Sequence, residues 1–564
     1  MMSARSIAAF ASVTLAVFWS VVACSSGGAA GGDGGRDVAS LDAPSDGSSG
    51  GDGAYDGGPD GGTPHLVELR VSAQTDSGAA PSITLVPKFS PGVFDYYVQC
   101  AAGANALTVS MKASPGTRSL LIQPVATASL PEQVIPLAVN ENDAIVAAAT
   151  DGTATVEYWV RCLPHDFPSL EMSLHPEAGA PIPGYYLVGN ALLRAGAGYA
   201  MALDVRGVPV WYQRTPQVVL NVDSVIPGTI SFFSPYSYQV DQLAPPGTSY
   251  LPPLARSEHD YQVLPGGDYY LITSPVTTNV DLTGLSLPLA DGGAAPLGPG
   301  GIIEDCVVDE LDPAGQVFWS WVASKHLDPV KDCTFPQVSM DVPPPDGGVV
   351  ADVFHCNSVD VDPANGNLLI SARHTDSVFY VDRVTGNILW KMGGAAYTKD
   401  DAAYVSVKDP FYRQHDGRLQ TWKSTCSGGS GQVSVFDDET ERPDPARAVV
   451  YDVSVGPGDA GTGADCGAGA GDGGTTPATV AWQYIGKAPA QAMGSFRILA
   501  DGSRVIGWGV ATPHYTSFSE VDLAGRDLLD FNLDYANLDG SYRAIKVPAT
   551  ALDLGLLRAA AGLP

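Results

Sequence analysis

The chain is predicted to be all-β, a β-propeller preceded by a small β-sandwich, and three observations lead there. Two hairpin phrases alternate along its C-terminal two thirds, no long stretch shows a helical period, and the strands are short and separated by Gly, Pro, Asn and Asp turns. The first phrase is an apolar pair, a glycine turn and a second apolar strand: VIPGTISFF, VLPGGDYYLI, VDPANGNLLI and ILADGSRVIGW. The second places Asp and a turn Gly between apolar runs, as in MALDVRGVPVWY, VDELDPAGQVFWSW, FYVDRVTGNILW and EVDLAGRDLLDF. Two hairpins make a four-stranded sheet, and such sheets bury their faces only by stacking on neighbours in a ring. A β-helix is the competing architecture, but its repeats are shorter and more regular.

The elements before the ring follow from composition. Arg5, the apolar run Ile7 to Val22 and the sequence Val21-Val22-Ala23-Cys24 read as a lipoprotein leader over residues 1–23, with Cys24 the lipidated N-terminus. The run is too short to be a spanning helix of the finished protein, so the expected location is the bacterial cell envelope, outer-membrane or periplasm-facing, held by lipid alone. Residues 24–64 are Gly, Ser, Asp and Ala and read as a flexible tether. Residues 65–163 carry alternating segments such as LVELRVS, FDYYVQC and TVEYWVRC, the pattern of a β-sandwich, and LVPKFSPGVFDYYV resembles the signature of cadherin-like modules. Residues 164–564 form the propeller, in which the Gly, Ala and Asp-rich stretch from Gly456 to Thr476 reads as a surface insertion.

Charge and cysteines narrow the function. With 61 acidic against 30 basic residues the net charge is -31, which argues against nucleic acid or anionic lipid surfaces as partners. An anionic small substrate then needs a local cationic pocket. Seven cysteines remain beside Cys24 in an oxidising compartment; the expected pairs are Cys100 with Cys162, Cys306 with Cys333, and Cys426 with Cys466. Cys356 is left over and reads as a small packed residue.

Two first-type hairpins open on histidine: HDYQVLPGGDYYLITS from His259 and HCNSVDVDPANGNLLISAR from His355. Folding the second about a turn centred near Ala364 brings His355 and Arg373 to the same end, with Asn357 and Ser371 the next pair inward; a one-residue slip would put His374 there instead. Ring symmetry aims His259 at the same axis, and His415 in FYRQHD follows soon after. The module near Asp501 has Ser495 and Phe496 at this place and no histidine, so the histidines answer a site and not the scaffold. His165, His175, His326, His374 and His514 read as surface or loop residues, with His514 and Tyr515 as pocket wall, and Asp437 and Asp438 as turn and surface groups.

EHDYQVLPGGDYYLI, FHCNSVDVDPANGNLLISAR, VFYVDRVTGNILWKMGG, FYRQHDGRL and VSVFDD, in this order from roughly Tyr185 to Tyr535, resemble the arylsulfotransferase family of bacterial exported enzymes. That resemblance implies a six-bladed propeller with an N-terminal β domain. It also implies transfer of a sulfuryl group from a phenolic sulfate ester to a phenolic acceptor through a sulfated histidine, with no nucleotide sulfate donor and no other cofactor. Position by position, His415 matches the histidine that is sulfated, His355 and Arg373 match the pair that grips the sulfuryl oxygens, His259 matches a further active-site histidine, and Asn357 aligns with an adjacent substrate-binding polar residue.

The residue types suit that chemistry. A sulfuryl group in flight spreads negative charge over its oxygens, for which a planar guanidinium is a fixed clamp; a neutral imidazole can attack sulfur while a second exchanges the phenol proton. The partners expected are a small aryl sulfate and a phenol, with a homodimer left open. Three histidines also suggest zinc and a metal hydrolase, but Arg373 beside them would repel an ion and no HExxH or CxxC spacing supports it. The second expectation is a non-catalytic surface propeller that holds an anionic or aromatic ligand.

Overall fold

The protein is described here by a computed structural model. The described residues are 63–563 except 75–82, 192–196, 235–236, 252–256, 258, 289–291, 341, 343–347, 426–427, 457–473, 512–515 and 534–539. The leader, Cys24, nearly all of the tether, the Cys426–Cys466 pair, most of the Gly456–Thr476 insertion, His514 and Tyr515 lie outside them. Among the described residues no helix is long and apolar enough to cross a membrane.

The fold is all-β. Residues 66–163 form a sandwich of two sheets, Leu66–Ala73, Ala104–Ala113 and Glu132–Asn140 facing Asp95–Gln99, Thr155–Leu163, Ala144–Thr150 and Arg118–Gln123. Alternation along the strands puts Leu69, Val71, Val109 and Val139 of one sheet against Val98, Ile145, Ala147 and Val160 of the other. The expected Cys100–Cys162 disulfide ties the ends of the parallel strands Asp95–Gln99 and Thr155–Leu163.

Six sheets follow and close a propeller. The first blade is Gly184–Gly189, Gly198–Leu203 and Pro209–Thr215, whose innermost strand, Ala544–Pro548, comes from the far end of the chain. The second runs from Leu220–Asp223 to Pro246–Tyr250, and the third comprises Tyr261–Val263, Tyr269–Thr273, Val307–Leu311 and Val317–Val322. The fourth starts at Cys356–Val361, the fifth at His415–Thr425 and the sixth at Ser495–Ile498; Leu170–Leu174 adds an outer edge to the sixth. Segments from the two ends of the propeller region therefore stitch the ring twice, Ala544–Pro548 at an inner and Leu170–Leu174 at an outer strand. The turns are made by the residues that flagged them: the Asp362 carboxylate accepts from the Ala364 N–H, and Gly366 takes φ 78°, open to glycine at no steric cost.

One feature departs from simple repetition. Between its second and third strands the third blade throws out a side sheet, Val276–Val280 and Gly301–Glu304, joined later by Ala351–Asp352 and Gln337–Val338. Cys306, just past this sheet, is bonded to Cys356 and not to Cys333, which is a free thiol, half-buried. Sequence proximity favoured the shorter loop, whereas the side sheet brings Cys306 to the innermost strand of the next blade. Cys356 is therefore no odd packed residue but a staple beside His355.

Candidate active site

Each blade's innermost strand begins at the same mouth of the ring, so the residues just before or at those starts converge. His259 precedes Tyr261–Val263, His355 precedes Cys356–Val361, and His415 opens His415–Thr425. His259 Nε2 lies 3.2 Å from His355 Nε2, the His259 and His415 rings lie 6.5 Å apart and nearly parallel, and one ring nitrogen of each of the three falls within 4.8 Å of the others. Gly417 permits the close approach of the fifth blade: a Cβ there would meet Ser371 Cβ at 3.1 Å and Val378 Cγ1 at 3.2 Å.

The hairpin of the fourth blade sets the other half of the site. The Arg373 N–H donates to the His355 carbonyl at 2.9 Å, so these residues face each other across its mouth. Inward of them the register differs from expectation: Ser371 pairs with Ser358, because a bulge at Asn357 shifts the strand by one residue. Asn357 is thereby turned sideways, its amide Nδ2 donating to the Gln414 carbonyl and anchoring the loop that carries His415. His355 itself sits at φ 52°, left-handed backbone that a side chain adopts only where its surroundings fix it.

Each imidazole is held through Nδ1. His259 Nδ1 meets Ser257 Oγ at 2.7 Å, His355 Nδ1 meets Asp352 Oδ2 at 2.5 Å, and His415 Nδ1 meets Asp438 Oδ2 at 2.9 Å. Burial alone would drive the proton off His355, but the Asp352 carboxylate outweighs it and holds the imidazole above its ordinary value. Burial, then the charge of His355, keeps His259 well below it. The network therefore reads as a protonated His355 donating from Nε2 to a neutral His259, whose Nδ1–H points to Ser257. Burial and the Arg373 guanidinium likewise keep His415 neutral. Burial pushes the Asp438 carboxyl up against the pull of Arg373. In the tautomer in which His415 Nδ1–H donates to the Asp438 carboxylate, the Nε2 lone pair is free to react.

Arg373 is buried. Its Nη1 donates to His374 Nε2 at 2.9 Å, its Nη2 to Thr440 Oγ1 at 3.1 Å and the Gln491 carbonyl at 2.9 Å, and its Nε lies 3.7 Å from Asp438 Oδ2 without a hydrogen bond. The head group is thus fixed in orientation with a donor in reserve. His374 is no surface residue: it is 2% exposed, stacks on His355 at 4.7 Å and is driven by burial to about 4, a neutral acceptor that steadies Arg373. Asp437 and Asp438 are likewise fully buried and not turn groups.

Beneath the histidines lies a second layer that sequence reasoning missed. Arg543, 1% exposed, donates to Asn221 and Asp260 at 3.1 Å and to the Asn357 carbonyl at 2.7 Å. Arg418 bridges Asp260 and Asp416, each at 2.8 Å, and Arg497 reaches Asp416 at 2.8 Å. Asp260 and Asp416 are the neighbours of His259 and His415: one residue of each pair faces the mouth and the next turns down into the arginines. The recurring His-Asp dipeptide was the available signal. Asp352, on another element, left none, and Asp438 only the phrase VSVFDD.

Of the remaining histidines, His165 and His175 bond Glu141 and Asp530 near the surface, and His326 bonds Asp400 away from the mouth.

No curated protein matches the chain. Among solved structures, an auxiliary nutrient binding protein from Bacteroides ovatus is 7% identical with a TM-score of 0.28, over 77% of this chain and 83% of that one. Hsv2 from Kluyvelomyces marxianus is 10% identical with a TM-score of 0.27, over 71% and 93%. Residues 300–453, which include His355, Arg373, His415 and Asp438, match the family Arylsulfotransferase (ASST), and the match supports a sulfotransferase.

Proposed function

We propose that the propeller transfers a sulfuryl group from a phenolic sulfate ester to a phenolic acceptor by a ping-pong route through a sulfohistidine at His415. The single observation that carries this reading is the convergence of three Nδ1-anchored imidazoles beside an oriented guanidinium at one mouth of the ring. His415 Nε2 attacks the ester sulfur, the sulfur–oxygen bond to the aryl group breaks, and the phenolate takes the proton that His355 otherwise lends to His259. Arg373 and His355 neutralise the charge spread over the three sulfuryl oxygens. In the second half an acceptor phenol attacks the sulfur, the sulfur–nitrogen bond breaks, and the phenol proton returns to the His355–His259 pair.

In the same proposal residues 65–163 and 164–564 are separate domains, and acylated Cys24 with its tether holds both at the cell envelope. Brief exposure of the full chain to 4-nitrophenyl sulfate should leave one acid-labile sulfuryl adduct in the intact mass, absent in His415→Gln. Ligand binding with neither adduct nor transfer to a phenol would instead establish a non-catalytic propeller.

A further inference from the structure

We propose that the same three imidazoles form a tri-histidine site for a divalent transition-metal ion, ligated through Nε2 of His259, His355 and His415, and that the ion excludes an aryl sulfate. Two nitrogens bound at about 2.0–2.1 Å in tetrahedral array lie about 3.3 Å apart, and the His259 and His355 Nε2 atoms are already 3.2 Å apart; the ion displaces the proton between them, which is released to solvent. The third nitrogen lies within 4.8 Å, so a movement of at most about 1.5 Å completes the set.

The anchoring of the rings is a second, independent sign. A metal-bound imidazole commonly gives its other N–H to a carboxylate or another oxygen, which fixes the ring and raises its basicity. Here all three Nδ1 atoms meet such an oxygen, those of Asp352, Asp438 and Ser257. A fourth position stays open for water. The charge of Arg373, which from sequence weighs against an ion, is held off the nitrogens by its bonds to His374, Thr440 and Gln491 and opposed by Asp438, 3.7 Å from Nε, and by Asp352 on His355. The second cluster, Asp352, His355 and His374, is no rival: with Nε2 accepting from Arg373, His374 carries its proton on Nδ1, the nitrogen that faces Asp352. An ion on His415 Nε2 removes the lone pair that attacks sulfur, so metal binding and sulfuryl transfer compete for one nitrogen.

The test is equilibrium dialysis of the untagged full chain against zinc, repeated with cobalt to read the visible absorption of a four-coordinate site. One zinc per chain is expected from this site, with affinity falling at least about tenfold in each of His259→Ala, His355→Ala and His415→Ala and unchanged in His326→Ala. Asp352→Asn keeps all three imidazoles and should weaken binding about 10–100-fold, which covers the case of a histidine variant that fails to fold. Unaltered affinity in the three alanine variants, or in Asp352→Asn, would overturn the site. Turnover that persists in saturating zinc would overturn the competition. Zinc bound by the three histidines in a protein without sulfotransferase activity would leave the site standing and remove the reaction proposed above, so the two failures are distinguishable.

Discussion

The ring presents two unlike halves at one mouth. Three successive blades place His259, His355 and His415 there, whereas the opposite three offer Asn221 at the second blade, Met493 to Ser495 at the sixth and Tyr542 with Arg543 at the first. The backbone task is shared by both halves, since left-handed residues recur around the mouth, at Asn221 and Met493 as at His355. Strand geometry therefore does not call for imidazoles. What differs is the direction of charge: the histidine half turns imidazole nitrogens to the cleft, while the other sends Arg543 inward to gather Asp260, the acidic neighbour of His259. One half supplies reactive groups and the other holds their backbones still.

If that division is right, the halves fail differently. The largest effect belongs to His415→Gln, which removes the proposed nucleophile while the side-chain amide can still reach Asp438; turnover should fall by roughly 10⁴-fold or more. Stability should change by less than about 2 kcal/mol. A denaturant midpoint that collapses with activity would erase the distinction. Next comes Arg543→Met, which strands Asp260 without one of its two arginines in a buried layer; leaving such charge uncompensated costs about 3–5 kcal/mol, read by urea unfolding. Wild-type stability in that variant would show the second layer to be idle.

Arg373→Lys tests the clamp within the histidine half. An ammonium keeps the charge but cannot hold His374, Thr440 and Gln491 together while offering a further donor to a sulfuryl oxygen. A fall of about 10²–10³-fold in kcat is expected, with KM for the aryl sulfate changed far less. Equal losses in kcat and binding would make Arg373 a ground-state anchor.

Much of this was legible in the chain because the signals were local. Turn Asp and Gly residues fixed the hairpins, and counting outward from Ala364 placed His355 opposite Arg373. The reading failed where one residue of register is absorbed silently: the bulge at Asn357 carries no glycine to announce it, so Asn357 could not be seen to brace Gln414. It failed again where partners are remote. The Cys306–Cys356 bond depends on a side sheet whose strands are only two to five residues long and lack a clear alternation. Asp438 looked like a turn because carboxylates usually are solvated; burial beside Arg373 and His415 is a property of the assembled ring.

Asp352 offers the finest probe, since it arrives from that side sheet to set the charge of a residue in the neighbouring blade. Its carboxyl is pushed up by burial, yet His374 and His355 hold it well below the usual carboxylate range, and it in turn raises His355. A raised histidine stabilises the fold fully below its unfolded value of about 6.5 and loses that contribution as pH rises through the folded value. A depressed carboxyl stabilises above about 3.9 and loses it as pH falls through its folded value. Both contributions are therefore complete between about pH 4 and 6.5. Asp352→Asn abolishes them, so its stability deficit should be widest in that window and narrow above it. Arg373, which opposes the His355 proton, and Glu304, which favours it, remain in place. With only the opposing balance shifted, the His355 ring should titrate lower by NMR, and the alkaline fall in kcat/KM, where a proton donor is lost, should move to lower pH with it. An NMR shift without the kinetic one would separate His355 from proton delivery and leave it as a binder of the sulfuryl oxygens alone.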